Sequence, residues 1–283
     1  MRRRYSAGEI GGEPIYKYPT HLKEMIDGLP RAPGVYIFYG ENTSLPLYIG
    51  KSVNIRARVL SHLRNEMESR MLLQARKIDH IRTAGDIGAQ LLESKLIKEM
   101  LPLHNKKLRR TKRLYSVKLI GGRPVVVASN EENFSRSDGL FGIWNSNAAA
   151  LRSLHALADK YQLCTGVLGL EKTKPSAQCF RASIKRCAGA CCGMETVTAH
   201  NTRLVEALEA MKIHAWPYPG RIGIVEQFEE MRQIHVIDHW HYNGSFEGSD
   251  GIQAAAMPIG FDSDGYKILV AKLINRECEI IHL

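Results

Sequence analysis

Five side chains that can transfer protons or neutralise negative charge lie near the start of the chain. They are Tyr36, Tyr48, Lys51, Arg58 and His62. Phenol and imidazole groups accept or donate protons, and lysine and arginine stabilise negative charge on a reacting group. A strand tyrosine alone is more often a half-buried aromatic residue, and a lone helical arginine is usually solvated. The convergence of all five within 27 residues therefore indicates acid–base chemistry on an anionic substrate.

Two short strands and a helix are needed to bring these side chains together. Alternation of apolar residues predicts strands over residues 34–39 and 47–50, joined by a turn-rich segment. If the strands pair as a hairpin, the two tyrosines share one face. A helix capped by Ser52 is predicted to follow and to run to about Arg64. The arginine and the histidine are four residues apart on it, so they lie on one side.

A second helix is predicted from Asp86 to Met100, ended by Pro102. Its apolar residues fill one arc, which consists of Ala89, Leu92, Leu96, Ile97, Met100 and Leu101. Glu93 falls in the middle of that arc, where an unpaired carboxylate is costly to bury. One interpretation is an ion pair with a buried arginine. The other, which we favour, is a ligand for Mg²⁺ or Mn²⁺, because such ions often use only one or two protein carboxylates.

The segments Gly34-Val35-Tyr36 and Tyr48-Ile49-Gly50 resemble the two signature motifs of the GIY-YIG nuclease family, with valine in place of the first isoleucine. Residues 50–62 are also similar to the family motif, although many members carry tyrosine at the position of His62. The resemblance implies an α/β (α+β) nuclease domain with a small central mixed sheet and flanking helices. It also implies that Glu93 is the acidic metal ligand and that Asn105 belongs to the site.

These residues together suggest phosphodiester hydrolysis assisted by one metal ion. The cation is expected to hold the phosphate and the leaving oxygen, while Arg58 offsets charge on phosphorus. Tyr48 is the expected general base and Tyr36 would orient it or the water. Lys51, the arginine and the metal are expected to lower the tyrosine pKa from its ordinary value near ~10. His62 is either a relay or the base itself, and the sequence leaves this choice open.

The composition favours a nucleic-acid partner, because the formal net charge is +10. A basic run follows the predicted nuclease site and comprises Lys106, Lys107, Arg109, Arg110, Lys112 and Arg113. It is either a solvated linker or a strip that contacts the DNA backbone in a salt-sensitive way. No apolar run approaches the roughly 20 residues of a membrane span. With no secretory signal pattern, a cytoplasmic location is expected.

Four cysteines are spaced by 14, 7 and 3 residues, and they are Cys164, Cys179, Cys187 and Cys191. In a cytoplasmic chain such clustering favours a metal site over disulfides or buried structural cysteines. A helix over residues 184–190 would place the last two on one face, and Lys185 and Arg186 would favour their thiolates. The spacing resembles the four-cysteine region of UvrC excinucleases, which implies a [4Fe-4S] cluster. Zn²⁺ is the alternative, although its sites usually bring two close cysteine pairs.

Residues 30–195 resemble the N-terminal half of UvrC in the same order, with no counterpart of its C-terminal half. The resemblance implies a nucleotide excision repair endonuclease of the SOS response. It would cut damaged double-stranded DNA prepared by UvrA and UvrB, on the 3′ side of the lesion. The competing hypotheses are a free-standing site-specific nuclease and a degenerate DNA-binding or redox-sensing module.

Four regions are predicted. They are a nuclease domain over residues 27–108, a connecting α/β unit over 109–162, a helical four-cysteine region over 163–196, and a small β-rich module of unknown role over 197–283. In the last region strands are predicted at Gln233–Tyr242 and Lys267–Leu273. His235, His239 and His241 would alternate along one strand face, as a solvated or DNA-facing strip rather than a metal site.

Overall fold

The computed structural model describes residues 20–41, 45–105, 113–172, 178–248, 252 and 261–283. The chain divides into two compact units. The first comprises Met1–Arg109 and Gln227–Met231, and the second comprises Arg110–Glu226 and Arg232–Leu283. Across the described ranges, no helix is both long and apolar enough to cross a membrane.

A three-stranded antiparallel sheet lies at the centre of the first unit. Its strands are β1 (Gly34–Tyr39), β2 (Pro46–Ser52) and β3 (Lys77–Arg82). The helices around it are α1 (Lys23–Asp27), α2 (Ile55–Leu63), α3 (Ser69–Gln74) and α4 (Asp86–Met100). The strand order is β2-β1-β3, and both pairings are antiparallel. The α/β class is therefore confirmed, whereas the expectation of a mixed sheet is wrong.

Strand β1 is buried along its whole length, because it has a neighbour on each edge and helices over both faces. Val35 and Ile37 pack on one face against Ile97 of α4. Tyr36 and Phe38 pack on the other face, in a cluster that includes residues of α1, α2 and α3. Burying one large apolar side chain contributes about 1.5–3 kcal/mol. The two faces therefore fix the register of β1, and with it the direction in which the tyrosine points.

Helix α2 begins later than predicted. Strand β2 continues through Ser52, so Asn54 is the N-cap and its side-chain oxygen accepts a hydrogen bond from the Ala57 N–H at 3.0 Å. The Ser52 hydroxyl instead bonds the backbone of Asn54 on both its carbonyl and its N–H, at 2.8 and 3.0 Å. This bracing fixes the corner between β2 and α2.

Helix α4 spans the predicted residues, but its buried face differs from the predicted arc. Leu101 ends the helix in the left-handed conformation, with φ of 49°, and is exposed. Leu91 and Ser94 are buried although they were not placed in the arc. Ile97 and its apolar neighbours pack on the sheet as expected. The helix therefore lies on the sheet with Glu93 at the border between its buried and exposed surfaces.

The second unit contains two four-stranded sheets. The first sheet consists of β4 (Tyr115–Ile120), β5 (Arg123–Ala128), β6 (Leu140–Trp144) and β7 (Lys212–Ile213) in the order β5-β4-β6-β7. The helices of this part are α5 (Asn147–Lys160), α6 (Phe180–Ser183) and α7 (Val197–Glu209). Leu154 of α5 and Leu204 of α7 share one core with Val117 and Phe141 of the sheet.

The second sheet consists of β8 (Ile222–Phe228), β9 (Met231–Asp238), β10 (His241–Phe246) and β11 (Glu279–His282), in the order β10-β9-β8-β11. Two strands connected at His239 and Trp240 replace the single predicted strand, and both turn residues have positive φ. The expected histidine strip is therefore wrong: His239 lies in the turn. His235 is buried and pairs in register with Ser245, whereas His241 pairs with Asp238.

The segment predicted as a strand at Lys267–Leu273 lies within helix α8 (Ser263–Ile274). Asp262 caps this helix by accepting a hydrogen bond from the Asp264 N–H at 3.1 Å. Tyr266, Leu269 and Leu273 are buried along one face at helical spacing. The apolar residues of this segment recur at helical spacing, so the prediction of a strand at Lys267–Leu273 is wrong.

Candidate active site

The two signature tyrosines lie on one face of the sheet, as predicted. In the register of β1 and β2, Tyr36 is opposite Gly50 and Phe38 is opposite Tyr48, so the tyrosines are diagonal neighbours. Their ring centroids are 6.2 Å apart. A Cβ atom on Gly50 would lie 2.3 Å from the Tyr36 hydroxyl oxygen and 2.5 Å from its Cζ. Glycine at this position therefore lets the Tyr36 ring cross the backbone of β2.

Tyr36 and His62 form the innermost part of the site. The Tyr36 hydroxyl lies 2.5 Å from Nε2 of His62, which α2 brings over the sheet. Tyr36 is 1% exposed and His62 is 3% exposed. Tyr48 is half-buried, and its ring centroid lies 5.5 Å from that of His62. Of the three rings, Tyr48 therefore has the greatest access to solvent.

Glu68 also belongs to the site, although no sequence motif contains it. It ends a short 3₁₀ turn at Glu66–Glu68, and its carboxylate forms a hydrogen bond with Nδ1 of His62. This contact depends on how the chain folds back after α2, which neither periodicity nor a motif reports. A short hydrogen-bonded series therefore runs from the Glu68 carboxylate through the His62 ring to the Tyr36 hydroxyl.

Burial sets the protonation of these groups. It raises the pKa of Tyr36 and of Tyr48, and in Tyr48 the negative charge of Glu93 adds to the effect. Burial also lowers the pKa of His62, although Glu68 opposes this shift. Arg58 lowers the pKa of both tyrosines, as expected, but burial has the larger effect, so the protein groups alone shift both pKa values upward. The arrangement holds two neutral phenols beside a neutral imidazole at neutral pH.

Arg58 lies beside the buried tyrosine. Its guanidinium interacts with the Tyr36 hydroxyl, which raises the arginine pKa. Arg58 and His62 thus both reach the same phenol from one side of α2, as their spacing predicted. No carboxylate of the described residues lies within 4 Å of the guanidinium, so its charge is not neutralised by an ion pair there.

The Lys51 side chain points to a carboxylate rather than to the tyrosines. Its Nζ donates to Asp86 Oδ1 at 2.8 Å, and Gln90 donates to the other oxygen of Asp86 at 2.7 Å. The backbone N–H of Lys51 donates to Glu93 Oε1 at 3.2 Å. Lys51 therefore ties the end of β2 to α4 by two contacts.

Glu93 is a desolvated carboxylate with little compensation. Burial raises its pKa, and the hydrogen bond from the Lys51 N–H only partly opposes the shift. Within the described part of the chain, no side-chain cation lies within 4 Å of its oxygens. A half-buried carboxylate of this kind fits a metal ligand, because a bound cation supplies the missing positive charge.

Asn105 holds the strand that carries Tyr48. Its side-chain oxygen accepts from the Ile49 N–H at 2.9 Å, and its amide donates to the Ile49 carbonyl at 2.8 Å. Of the basic run, Arg113 donates to Glu131 Oε1 at 2.9 Å, and the other five members lie outside the described residues. Asn105 therefore holds the backbone of Ile49, the residue next to Tyr48.

Comparison with known proteins identifies the family. Residues 32–106 match the UvrC-like GIY-YIG domain, residues 120–210 match the middle domain of UvrC/Cho excinucleases, and residues 221–283 match the C-terminal domain of excinuclease Cho. The chain is 49% identical to excinuclease Cho of Salmonella typhi, over all of this chain and 98% of that protein. The chain belongs to the excinuclease Cho family. It is therefore a metal-dependent endonuclease with a UvrC-like catalytic domain.

The chain is also similar to two further proteins. Excinuclease Cho of Escherichia coli K12 is 47% identical over 97% of this chain and 94% of that protein. The GIY-YIG domain of Thermotoga maritima UvrC, solved with its catalytic magnesium, is 32% identical, with a TM-score of 0.28; the match covers 30% of this chain and 94% of that one.

The cysteines of this Cho-family chain come together in the second unit. Cys164, Cys179 and Cys187 are buried, and Cys191 is half-buried in the same cluster. The Sγ atom of Cys179 lies 3.8 Å from that of Cys164 and 3.7 Å from that of Cys187. The ligand atoms of Cys164, Cys179 and Cys191 all lie within 4.8 Å of one another. Four thiols in one buried cluster fit a metal centre.

The local backbone differs from the predicted helix over residues 184–190. Helix α6 ends at Ser183, and Lys185 and Gly189 have positive φ, so the chain turns between Cys187 and Cys191. Burial raises the pKa of Cys187 to about 11, contrary to the expectation of favoured thiolates there. The turns, rather than helical spacing, therefore bring these thiols together.

The thiol separations can be compared with metal geometry. Thiolates that surround one tetrahedral ion at about 2.3 Å stand about 3.8 Å from each other. Two of the observed Sγ pairs have this separation. A [4Fe-4S] cluster places each thiolate on a different iron atom, so its ligands stand farther apart. The ligand atom of Cys187 does not lie within 4.8 Å of all three others, so the separations do not choose between the two groups. The donor set fits either group.

Proposed function

We propose that this protein is a cytoplasmic DNA endonuclease of nucleotide excision repair. It would incise the damaged strand on the 3′ side of a lesion, in DNA prepared by UvrA and UvrB. The observation that carries the proposal is the desolvated carboxylate of Glu93, which lies close enough to Tyr48 to raise its pKa. Tyr36 and Arg58 lie beside Tyr48. Membership of the Cho family supports the repair role.

Glu93 is the residue that would hold the catalytic Mg²⁺ or Mn²⁺. When bound, this ion would polarise the scissile phosphate and stabilise charge on the leaving oxygen. The Lys51 N–H orients the carboxylate from the end of β2, and the Lys51 ammonium remains on Asp86. Arg58 supplies a positive charge beside Tyr36, where it would stabilise the phosphorane-like transition state.

The protein groups suggest a route for the proton of the attacking water. Tyr36 and His62 are too deeply buried to contact that water, whereas Tyr48 is half-buried. Tyr48 would therefore accept the proton while its own passes to Tyr36, and the Tyr36 proton passes to His62 Nε2. Neither phenol needs to exist as a stable phenolate, which their raised pKa values would disfavour.

The DNA duplex would be held mainly through its phosphates. The proposed strip consists of Lys106, Lys107, Arg109, Arg110, Lys112 and Arg113, directly after Asn105 in the chain. Such contacts are independent of sequence and weaken as salt rises. Substitution of two of these lysines by alanine should therefore reduce the slope of log affinity against log salt by about two.

The cysteine cluster would hold a cofactor, with [4Fe-4S] implied by the UvrC resemblance and Zn²⁺ as the alternative for the same four thiols. Metal analysis and visible absorbance of anaerobically purified protein distinguish them. Cys179→Ser should lose the metal. Cys192→Ala is the control, because that thiol points to the Gly189 carbonyl instead. A wild-type protein without iron or zinc would contradict the proposal.

The deciding experiment is incision of a duplex with one defined lesion, with and without UvrA and UvrB. Wild-type protein should cut the damaged strand on the 3′ side only with both partners present. Glu93→Gln should lose about 10³-fold in rate, because the charge that holds the ion is gone. Glu99→Gln, on the exposed face of the same helix, is the matched control. Sequence-specific cutting without partners would support a free-standing nuclease instead.

A further inference from the structure

Glu68 lies behind His62 on the side away from the tyrosine. Its carboxylate bonds Nδ1, while Nε2 is 2.5 Å from the Tyr36 hydroxyl. His62 is almost completely buried, so water does not replace either partner. The ring therefore has one acidic and one phenolic neighbour, at opposite nitrogens.

The local fold holds Glu68 in this position. Asn65 accepts a hydrogen bond from the Met67 N–H through its side chain at 3.2 Å, and from the Glu68 N–H through its carbonyl at 3.1 Å. The Asn65 N–H in turn donates to the His62 carbonyl at 2.9 Å. The residue that bears the carboxylate is thus tied by backbone bonds to the residue that bears the imidazole.

These contacts determine the tautomer of the ring. An ionised carboxylate only accepts hydrogen bonds, so Nδ1 of His62 must carry a hydrogen and donate it. In the neutral ring Nε2 then has a free lone pair. The Tyr36 hydroxyl must consequently donate its hydrogen to Nε2. The Glu68 side chain is 31% exposed, and its carboxylate is in direct contact with the buried ring. A carboxylate behind a functional imidazole fixes the orientation of the ring and stabilises its cation, as in hydrolase triads.

We propose that Glu68 is a positioning residue of the nuclease: it holds His62 with Nε2 unprotonated, so that the imidazole receives the proton passed on by Tyr48 and Tyr36. The inference rests on the proposed function. Water loses one proton to Tyr48, each phenol passes one on, and His62 gains one as an imidazolium paired with Glu68. After the product leaves, the proton returns to solvent by the same groups in reverse, so both tyrosines and the histidine are restored.

The groups that face His62 have opposite effects on how readily its ring is protonated. Glu68 stabilises the imidazolium, whereas Arg58 and burial oppose it. Tyr36, Tyr48 and Phe38 complete the surroundings through ring contacts at centroid distances of 5.3 to 5.8 Å. Loss of the Glu68 charge should therefore make the imidazole harder to protonate, both at equilibrium and during the reaction.

The test is Glu68→Gln, which keeps the shape and an accepting oxygen but removes the charge. We expect kcat/KM to fall by about 10- to 100-fold. The acid limb of its pH profile should move to lower pH, because His62 then protonates only at lower pH. A structural role for Glu68 would lower the rate without moving that limb, and this outcome overturns the inference. Glu66→Gln, in the same turn and exposed, should match wild type in both rate and pH profile.

A second measurement does not depend on activity. Nitrogen-15 NMR of histidine-labelled protein without DNA should show His62 protonated on Nδ1 and bare on Nε2. Protonation on Nε2 in the neutral ring would overturn the inference.

The proposed function and the role of Glu68 can fail separately. Full activity of Glu93→Gln contradicts the proposed function. An inactive Glu93→Gln beside a Glu68→Gln variant with the wild-type rate and pH profile contradicts only the role of Glu68.

Discussion

Replacing Gly50 by alanine tests how closely the catalytic face is packed. The added methyl carbon would lie 2.3 Å from the Tyr36 hydroxyl oxygen, 2.5 Å from Tyr36 Cζ and 2.9 Å from Tyr48 Cε1. The φ of Gly50 lies outside the left-handed region, so alanine itself fits the backbone. The entire effect should therefore come from the collision with the two rings.

The expected cost follows from the geometry. Tyr36 is almost completely buried, so its ring can shift only by displacing packed neighbours, and the variant should lose about 1–3 kcal/mol of unfolding free energy. Displacement of the ring also breaks the hydrogen bond between its hydroxyl and His62. Because that bond belongs to the proposed proton route, incision should fall by about 10²-fold or more.

Urea denaturation measures the loss of stability in Gly50→Ala, and single-turnover incision measures the loss of rate. Gly40→Ala is the control, since a Cβ atom there has no neighbour closer than 3.5 Å and should be tolerated. A double-mutant cycle adds a sharper criterion: in a Tyr36→Ala background, the alanine at Gly50 should cost much less, with a coupling energy of about 1–3 kcal/mol. If Gly50→Ala retained wild-type stability and rate, the close approach of ring and backbone would be refuted.

Further predictions concern Asn105 and Glu93, which lie near the two tyrosines. Asn105→Ala should destabilise the first unit by about 1–3 kcal/mol, because it leaves the N–H and carbonyl of Ile49 without these partners, and urea titration against wild type measures this. In metal-free protein Glu93→Gln should raise the melting temperature at pH 7, because the raised pKa of Glu93 means that its ionised form destabilises the fold. This difference should disappear as the pH falls and Glu93 becomes protonated, and added Mg²⁺ should stabilise wild type but not the variant. A pH series of melting curves with and without Mg²⁺ checks both, and a variant that melts below wild type in metal-free buffer would contradict them.

The catalytic hairpin and α4 could be predicted from the sequence because local signals agreed there. Alternation along Gly34–Tyr39 and the proline after α4 fixed the elements to within a few residues. The shared face of the two tyrosines followed from strand geometry alone. Glu93 was found because a carboxylate within an apolar arc breaks the helical pattern.

Other features could not be predicted because they depend on contacts between distant segments or on competing signals. Glu68 reaches His62 only through a turn held by Asn65, and no periodicity marks that turn. The C-terminal hairpin turns at His239 and Trp240, inside the segment whose alternation predicted one continuous strand, and no glycine, proline or asparagine marks that turn. The cysteine cluster was correctly grouped, but turns rather than a helix assemble it.

Strand β2 has β1 on one side, and the segment after α4 covers part of its outer side. Leu103 and His104 donate backbone hydrogen bonds to the carbonyls of Pro46 and Leu47 at 3.0 and 2.8 Å, and the amide of Asn105 pairs with Ile49 in both directions. This segment thus acts as a partial fourth strand that protects an otherwise open edge. Proteins that bind by adding a strand to a sheet cannot use this covered part of β2.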